Sequence, residues 1–190
     1  MKKNMIISAT GAFALALCTP GYAGEMHRQD NRKSVDTTTG NELIKKTKDA
    51  IAQLRADGYS CSQATLLGIC RTLGSNLPDA QLKALTSGLR GGIGRTFGDG
   101  TCGALTAGSM ALGLYTAYDD EKAVALSKEL FDHFKKEYGT VKCGDIVGEF
   151  KFTKCTGCCL CIGEKVAELL QREQVQLTQA ETILWNNVVK

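Results

Sequence analysis

Cysteine is the residue whose number and spacing point most directly to chemistry in this 190-residue chain. Nine cysteines are present, and four of them crowd into one run, Cys155-Thr-Gly-Cys158-Cys159-Leu-Cys161. A CxxC pair can form a redox disulfide, or supply two ligands to zinc, copper(I) or an iron–sulfur cluster. Disulfide frameworks usually tie distant segments together, so this crowding favours redox or metal chemistry. One or two structural disulfides in a tight turn are the alternative interpretation.

Cys102 is the strongest single candidate for a reactive thiol. It follows the glycine-rich segment GGIGRTFGDG at 91–100 and is predicted to lie in the first turn of a helix. Unpaired backbone N–H groups and the helix dipole stabilise an anion there, which lowers the pKa of a thiol. Arg95 and Arg90 could add positive charge nearby. The alternative is a small buried cysteine at a close helix contact.

The other cysteines are ranked by their predicted places in helices. Cys61 follows Ser60 near a helix start, so the same thiolate argument applies more weakly. Cys143 opens a short helical piece, and Cys159 shares an apolar helix face that would aim it inward. Cys161 would point elsewhere, and Cys70 is predicted to be part of the core.

Several other functions are disfavoured by the composition. The chain has two histidines, and Cys159 stands where a c-type haem motif requires one. There is no GxSxG motif and no pair of acids in an apolar context, so nothing supports a hydrolase. The glycine-rich segment fits neither of the common phosphate-binding patterns. The formal charge is only +3 without a Lys/Arg cluster, so we expect no nucleic-acid partner.

The first 23 residues have the pattern of a secretory signal peptide cleaved after Ala23. Two lysines precede a short apolar run, which ends before the small-residue site Gly21-Tyr22-Ala23. The run is too short and too rich in small residues for a stable membrane span. A lipoprotein anchored at Cys18 is disfavoured, because Leu17 stands where a lipobox would place Gly, Ala or Ser. We therefore expect export to the periplasm, where disulfides persist.

Helical periodicity dominates the rest of the chain. Residues 24–40 are polar and predict a flexible lead-in, and residues 41–190 predict one all-α, compact domain of about six or seven helices. No strand pattern longer than a few residues occurs. The predicted helical segments are Asn41 to Asp57, Ser60 to Leu73, Pro78 to Gly91, Cys102 to Ala117, Asp119 to Tyr138, Cys143 to Phe150, Cys159 to Glu173 and Thr178 to Val189.

Taken together, the cysteines and their surroundings resemble the redox-active protein family named for its C_GCAxxG_C_C pattern. The first signature cysteine would be Cys61, within YSCSQATLLG, and the central CGAxxG motif begins at Cys102-Gly103-Ala104. Ala107 replaces the final glycine, although Gly108 follows at once. Cys143 would be the third signature cysteine. Cys159 is preferred over Cys158 and Cys161 as the fourth, and the likeness spans roughly residues 42 to 172.

The resemblance implies a small helical protein with a redox site at Cys61, Cys102, Cys143 and Cys159, and a redox partner protein. A dithiol/disulfide couple that attacks through Cys102 and an iron–sulfur electron carrier both fit, so whether the protein is an enzyme stays open. A second hypothesis is zinc or copper binding by the clustered cysteines Cys155, Cys158, Cys159 and Cys161. A third is a disulfide-stabilised binding domain without redox activity.

Overall fold

The fold is known from a computed structural model that describes residues 37–116 and 119–173. Within these ranges the chain forms seven α-helices and one short 3-10 helix, and no strand. This confirms the all-α prediction. The predicted signal peptide and the predicted closing helix from Thr178 to Val189 lie outside the described residues. The helices are α1 (Thr37–Ala56), α2 (Cys61–Leu73), α3 (Asp79–Thr86), the 3-10 helix (Ser87–Leu89), α4 (Gly103–Tyr115), α5 (Asp120–Tyr138), α6 (Cys143–Phe150) and α7 (Cys155–Arg172).

Two helices begin four residues before their predicted starts. Helix α1 begins at Thr37 rather than Asn41, and α7 begins at Cys155 rather than Cys159. The start of α7 lacks a side-chain cap at Lys154, so the usual sequence signal for a helix start is missing there. The consequence for the site is that all four clustered cysteines lie on one helix.

Helix α4 is the central helix of the core, as its uncharged sequence predicts. It packs against α2, α5 and α7. Gly108 makes this approach possible, because a Cβ atom there would lie 2.4 Å from Cγ2 of Ile162 and 3.0 Å from Cδ2 of Leu130. Across the described part of the chain, none of the helices combines the length and apolar character needed to span a bilayer.

The amphipathic pattern of α5 is confirmed. Leu126, Leu130 and Phe134 are buried, and they lie at the helical spacing that brings one face to the core. Asp119 caps the helix by accepting a hydrogen bond from the Lys122 N–H at 3.0 Å.

Helix α2 begins with a capping box that also sets the position of Cys61. The Ser60 hydroxyl accepts a hydrogen bond from the Gln63 N–H, and the Gln63 side chain accepts one from the Ser60 N–H. The N–H groups of Ser60 and Gln63, two of the helix-start donors that lack an intrahelical acceptor, are thereby satisfied.

Ser60→Ala is expected to lower the free energy of unfolding by about 1 kcal/mol, because an N-terminal N–H loses its acceptor. Urea unfolding of the reduced protein measures this change. The matched control is Ser127→Ala in the interior of α5, where alanine is the better helix former. Equal stability of the Ser60 variant and the wild type would show that the capping box contributes nothing.

Candidate functional site

Four helix starts meet at one place in the fold, and each carries a cysteine. Cys61 is the first residue of α2, Cys102 caps α4, Cys143 is the first residue of α6, and Cys155 is the first residue of α7. Cys102 acts electrostatically on each of the other three thiols, so these side chains are close in space. The partial positive charges of four helix N-termini therefore surround one group of sulfurs.

The starts of α4 and α6 are held side by side by backbone hydrogen bonds. The Cys102 N–H donates to the Val141 carbonyl and the Cys143 N–H donates to the Gly100 carbonyl, both at 2.8 Å. Thr101 and Lys142 form an isolated antiparallel bridge between these two contacts. Cys102 and Cys143 are distant in sequence but fixed next to each other by main-chain geometry.

The thiols of Cys102 and Cys158 are joined by a hydrogen bond. Hydrogen bonding by the Cys158 thiol, helped by the N–H groups of Ala104 and Leu105, lowers the pKa of Cys102 to about 7 in spite of burial. The same hydrogen bond, with burial, raises the pKa of Cys158. At pH 7, about half of Cys102 is therefore thiolate, and Cys158 stays a thiol that donates to it.

Tyr138 supports this pair from α5. Burial, followed by the nearby cysteines, raises the pKa of Tyr138, which hydrogen-bonds Cys158. Its ring packs on Phe134 with the ring centroids 4.7 Å apart. The sequence interpretation missed Tyr138, although it lies four residues after Phe134 and so continues the apolar stripe of α5.

The thiols around this pair have raised pKa values. Burial and the negative charge of Cys102 raise the pKa of Cys61, against the smaller opposing effect of nearby N–H groups. Burial likewise raises the pKa of Cys143 to about 12. The expectation of a weakly activated Cys61 thiolate is wrong in direction, because burial outweighs its place at a helix start.

Gly103 explains why glycine follows Cys102. A Cβ atom at this position would lie 2.8 Å from the Cys61 sulfur and 2.7 Å from the Leu89 carbonyl oxygen. Any other residue would push Cys61 away from the start of α4. The Cys-Gly pair of the central motif therefore brings two of the site's sulfurs together.

Among the remaining cysteines, burial raises the pKa of Cys159, which is close enough to Cys102 for the Cys102 charge to add to this effect, but the hydrogen bond of Cys102 is to Cys158. Cys159, the residue preferred from the sequence as the fourth member, is fully buried, with its thiol donating to the Cys61 carbonyl at 3.6 Å. Cys70 is buried in the core, as predicted. Cys158 and Cys159 both face inward, so an inward-facing position does not distinguish between them. The structure places Cys158, rather than Cys159, against Cys102.

The four clustered cysteines of α7 do not share one set of neighbours. Cys161 lies 3.5 Å from Nε2 of His133, whereas Cys159 faces α2. Two residues on an α-helix differ by about 200° when they are two positions apart, which separates these two sulfurs. Within residues 37–116 and 119–173, no group of three or more Cys, His, Asp or Glu side chains is arranged to hold a metal ion.

A surface cleft of about 330 Å³ reaches two of the site's thiols. Cys61 and Cys143 line it together with three arginines, Arg55, Arg90 and Arg95. Arg90 and Arg95, which from the sequence could add positive charge near Cys102, line this cleft beside Cys61 and Cys143. Arg55 is held in place by hydrogen bonds to the Tyr59 carbonyl at 2.5 Å and the Thr156 hydroxyl at 3.5 Å.

Comparison with known proteins places this arrangement in a family. The model of the family described as "Putative redox-active protein (C_GCAxxG_C_C)" matches residues 59–172. The chain belongs to this family. No curated protein and no solved structure matches the chain. The matched residues run from just before Cys61 to the end of α7, so they contain every cysteine of the site.

This member of the C_GCAxxG_C_C family should have a single thiol that reacts rapidly at neutral pH. The alkylation rate of a thiol rises with pH as the proton leaves, so Cys102 should reach half its maximal rate near pH 7. Burial raises the pKa of Cys161 to about 11, and this more exposed residue serves as the internal comparison. Iodoacetamide labelling followed by peptide mass spectrometry measures both rates. Faster labelling of Cys161 at pH 7 would contradict the assignment.

Proposed function

We propose that this chain is a thiol–disulfide redox protein in which Cys102 and Cys158 form the reversible couple. The observation that carries the proposal is the hydrogen bond between Cys102, the N-cap residue of α4, and Cys158, in the first turn of α7. A thiolate is the attacking species in disulfide exchange, and a neighbouring thiol can resolve the product. Membership of a redox-active family supports the same chemistry.

The exchange proceeds in two steps with a disulfide of a redox partner protein. The Cys102 thiolate attacks one partner sulfur, which forms a mixed disulfide and releases the other partner sulfur as a thiolate that takes up a proton. Cys158 then loses its proton and attacks the Cys102 sulfur, releasing the second partner thiol. The protein thiols are oxidised to a disulfide and the partner gains two electrons and two protons. The reverse sequence oxidises a partner.

We also propose that this chemistry takes place after export to the periplasm. The signal-peptide pattern of residues 1–23 supports export, and eight of the nine cysteines lie beyond it. A reversible couple in an oxidising compartment needs a partner that returns it to the dithiol form.

Equilibration with mixtures of reduced and oxidised glutathione tests the couple. We expect one two-electron transition with a potential above about −300 mV, the range of labile disulfides, and unchanged helical circular dichroism. Structural disulfides would instead resist this buffer or unfold the protein when they are reduced. No transition in the accessible range would overturn the proposal.

A second candidate is an iron–sulfur electron carrier, whose ligands would be the neighbouring cysteines Cys61, Cys102, Cys143 and Cys158, although among the described residues no such group is arranged to hold a metal ion. Four thiolates are the usual ligand set of such a cluster. Native mass spectrometry of protein purified without oxygen separates the two candidates. Added mass that disappears on denaturation would favour the cluster. A mass equal to that of the polypeptide, falling by two hydrogens on oxidation, would favour the Cys102–Cys158 couple.

A further inference from the structure

The redox cycle of a dithiol protein needs a second reactant besides its redox partner, and the cleft beside the site is suited to bind it. We propose that this cleft binds a small disulfide carrying carboxylate groups, and that Arg55, Arg90 and Arg95 select it by charge. The proposal rests on the thiol–disulfide function. It adds the substrate class and the residues that recognise it.

The positive charge of the cleft lining favours an anionic ligand. The lining of the cleft contains three guanidinium groups and no carboxylate. Among the described residues, none of these three arginines takes part in a salt bridge, whereas Arg71 pairs with Asp79 and Arg172 with Glu129. Guanidinium groups bind carboxylates through paired hydrogen bonds, so uncompensated arginines in a cleft favour a carboxylate-bearing ligand.

The backbone of three residues that line the cleft has the strained conformation often found at ligand-binding positions. Arg95, Phe97 and Phe152 line the cleft and have φ angles of +60°, +53° and +67°. Non-glycine residues in this left-handed region are strained, and such residues cluster at ligand-binding positions where the surroundings hold them in place. Here the Arg95 N–H donates to the Arg90 carbonyl at 3.0 Å and the Phe97 N–H to the Gly91 carbonyl at 2.9 Å. These bonds fix the two arginines of one loop relative to each other.

The shape of the cleft and its position beside the cysteines suit a small disulfide. Phe97 and Phe152 form an edge-to-face aromatic pair, with ring centroids 5.9 Å apart, which gives the cleft an apolar wall. A volume of about 330 Å³ is within the range of small-molecule sites. Cys61 and Cys143, the thiols that surround Cys102, line the same cleft. A ligand held by its carboxylates would therefore place its disulfide against Cys61 and Cys143. Cys102 and Cys158 do not line the cleft, so exchange reaches them through these two neighbouring thiols.

The reaction balances without a further reactant. The substrate disulfide is reduced to two thiols, and the Cys102 and Cys158 thiols are oxidised to one disulfide. Two electrons and two protons pass from the protein to the substrate. The redox partner then restores the two protein thiols.

The test compares two disulfides of opposite charge. Oxidised glutathione is the anionic probe and cystamine the dicationic probe, and the second-order rate of protein oxidation is measured with each. For the wild type we expect oxidised glutathione to react faster. The double variant Arg90→Ala/Arg95→Ala should lower the ratio of the two rates by about tenfold, because two cleft charges are lost. Added salt should lower the wild-type ratio in the same direction.

Arg71→Ala is the matched control, since Arg71 lies on α2 outside the cleft, and it should keep the wild-type ratio. An unchanged ratio in the double variant, with the Cys102–Cys158 disulfide still forming, would overturn the cleft proposal alone. Failure of both probes to form that disulfide in the wild type would overturn the proposed function and this inference together.

Discussion

Cys102→Ser should slow the reaction of the reduced protein with disulfides at pH 7 by about a hundredfold. With a pKa of about 7, half of the Cys102 thiols are ionised at this pH, whereas a thiol with a pKa of about 11, such as Cys161, is ionised to about one part in ten thousand. The more basic thiolate is a better nucleophile and recovers part of this deficit. Stopped-flow measurement of thiol loss against hydroxyethyl disulfide gives the rate.

Two further variants separate the roles of the pair. Cys158→Ser should keep an attacking thiolate but leave the mixed disulfide on Cys102 unresolved, so an adduct should accumulate in the intact mass spectrum. Cys161→Ser is the matched control, because Cys161 contacts His133 on another side of α7. A Cys102 variant that reacts as fast as the Cys161 variant would remove Cys102 from its role as the attacking thiol.

Phe134→Ala should give the largest loss of stability, about 3–5 kcal/mol in the free energy of unfolding. Phe134 is fully buried in the core face of α5, so truncation leaves a cavity that the packed helices close only in part. Urea unfolding of the reduced protein measures the change. Phe131→Ala is the control on the same helix, since 38% of Phe131 is exposed, and it should cost under about 1 kcal/mol.

Phe134→Ala should also affect the cysteine site. The Phe134 ring supports Tyr138, which hydrogen-bonds Cys158. We therefore expect Phe134→Ala also to change the pH profile of Cys102 alkylation, whereas Phe131→Ala should leave it unchanged. Equal losses of stability in the two variants would contradict the placement of α5 in the core.

Helical periodicity and glycine spacing made much of the fold predictable. The apolar stripe of α5 and the small residues of α4 each identify the face that packs. The start of α7 was harder to predict from the sequence, because Lys154 provides no side-chain cap. Placing α7 from Cys155 onward depends on its packing against α1, α2 and α4, and these are contacts distant in sequence.

The sequence identified most of the cysteines that belong to the candidate site, but not which cysteine pairs with Cys102. Cys61, Cys102 and Cys143 were selected by helix starts and by the family pattern, and the structure brings them together. Which cysteine contacts Cys102 depends on how α7 is rotated against α4. Cys158 and Cys159 both face inward, so burial alone could not show which of them is the partner. Arg55 and Phe152 carry no local signal, since their role arises only when the end of α1 and the turn before α7 meet at the cleft.

Disulfide mapping shows whether Cys102 and Cys158 form the working disulfide. The reduced full-length protein is oxidised in a glutathione buffer, free thiols are alkylated, and the digest is analysed by mass spectrometry. We expect a cross-linked peptide pair joining Cys102 to Cys158, with Cys70 and Cys161 alkylated. A digest in which Cys102 is alkylated while two other cysteines are cross-linked would contradict this pairing.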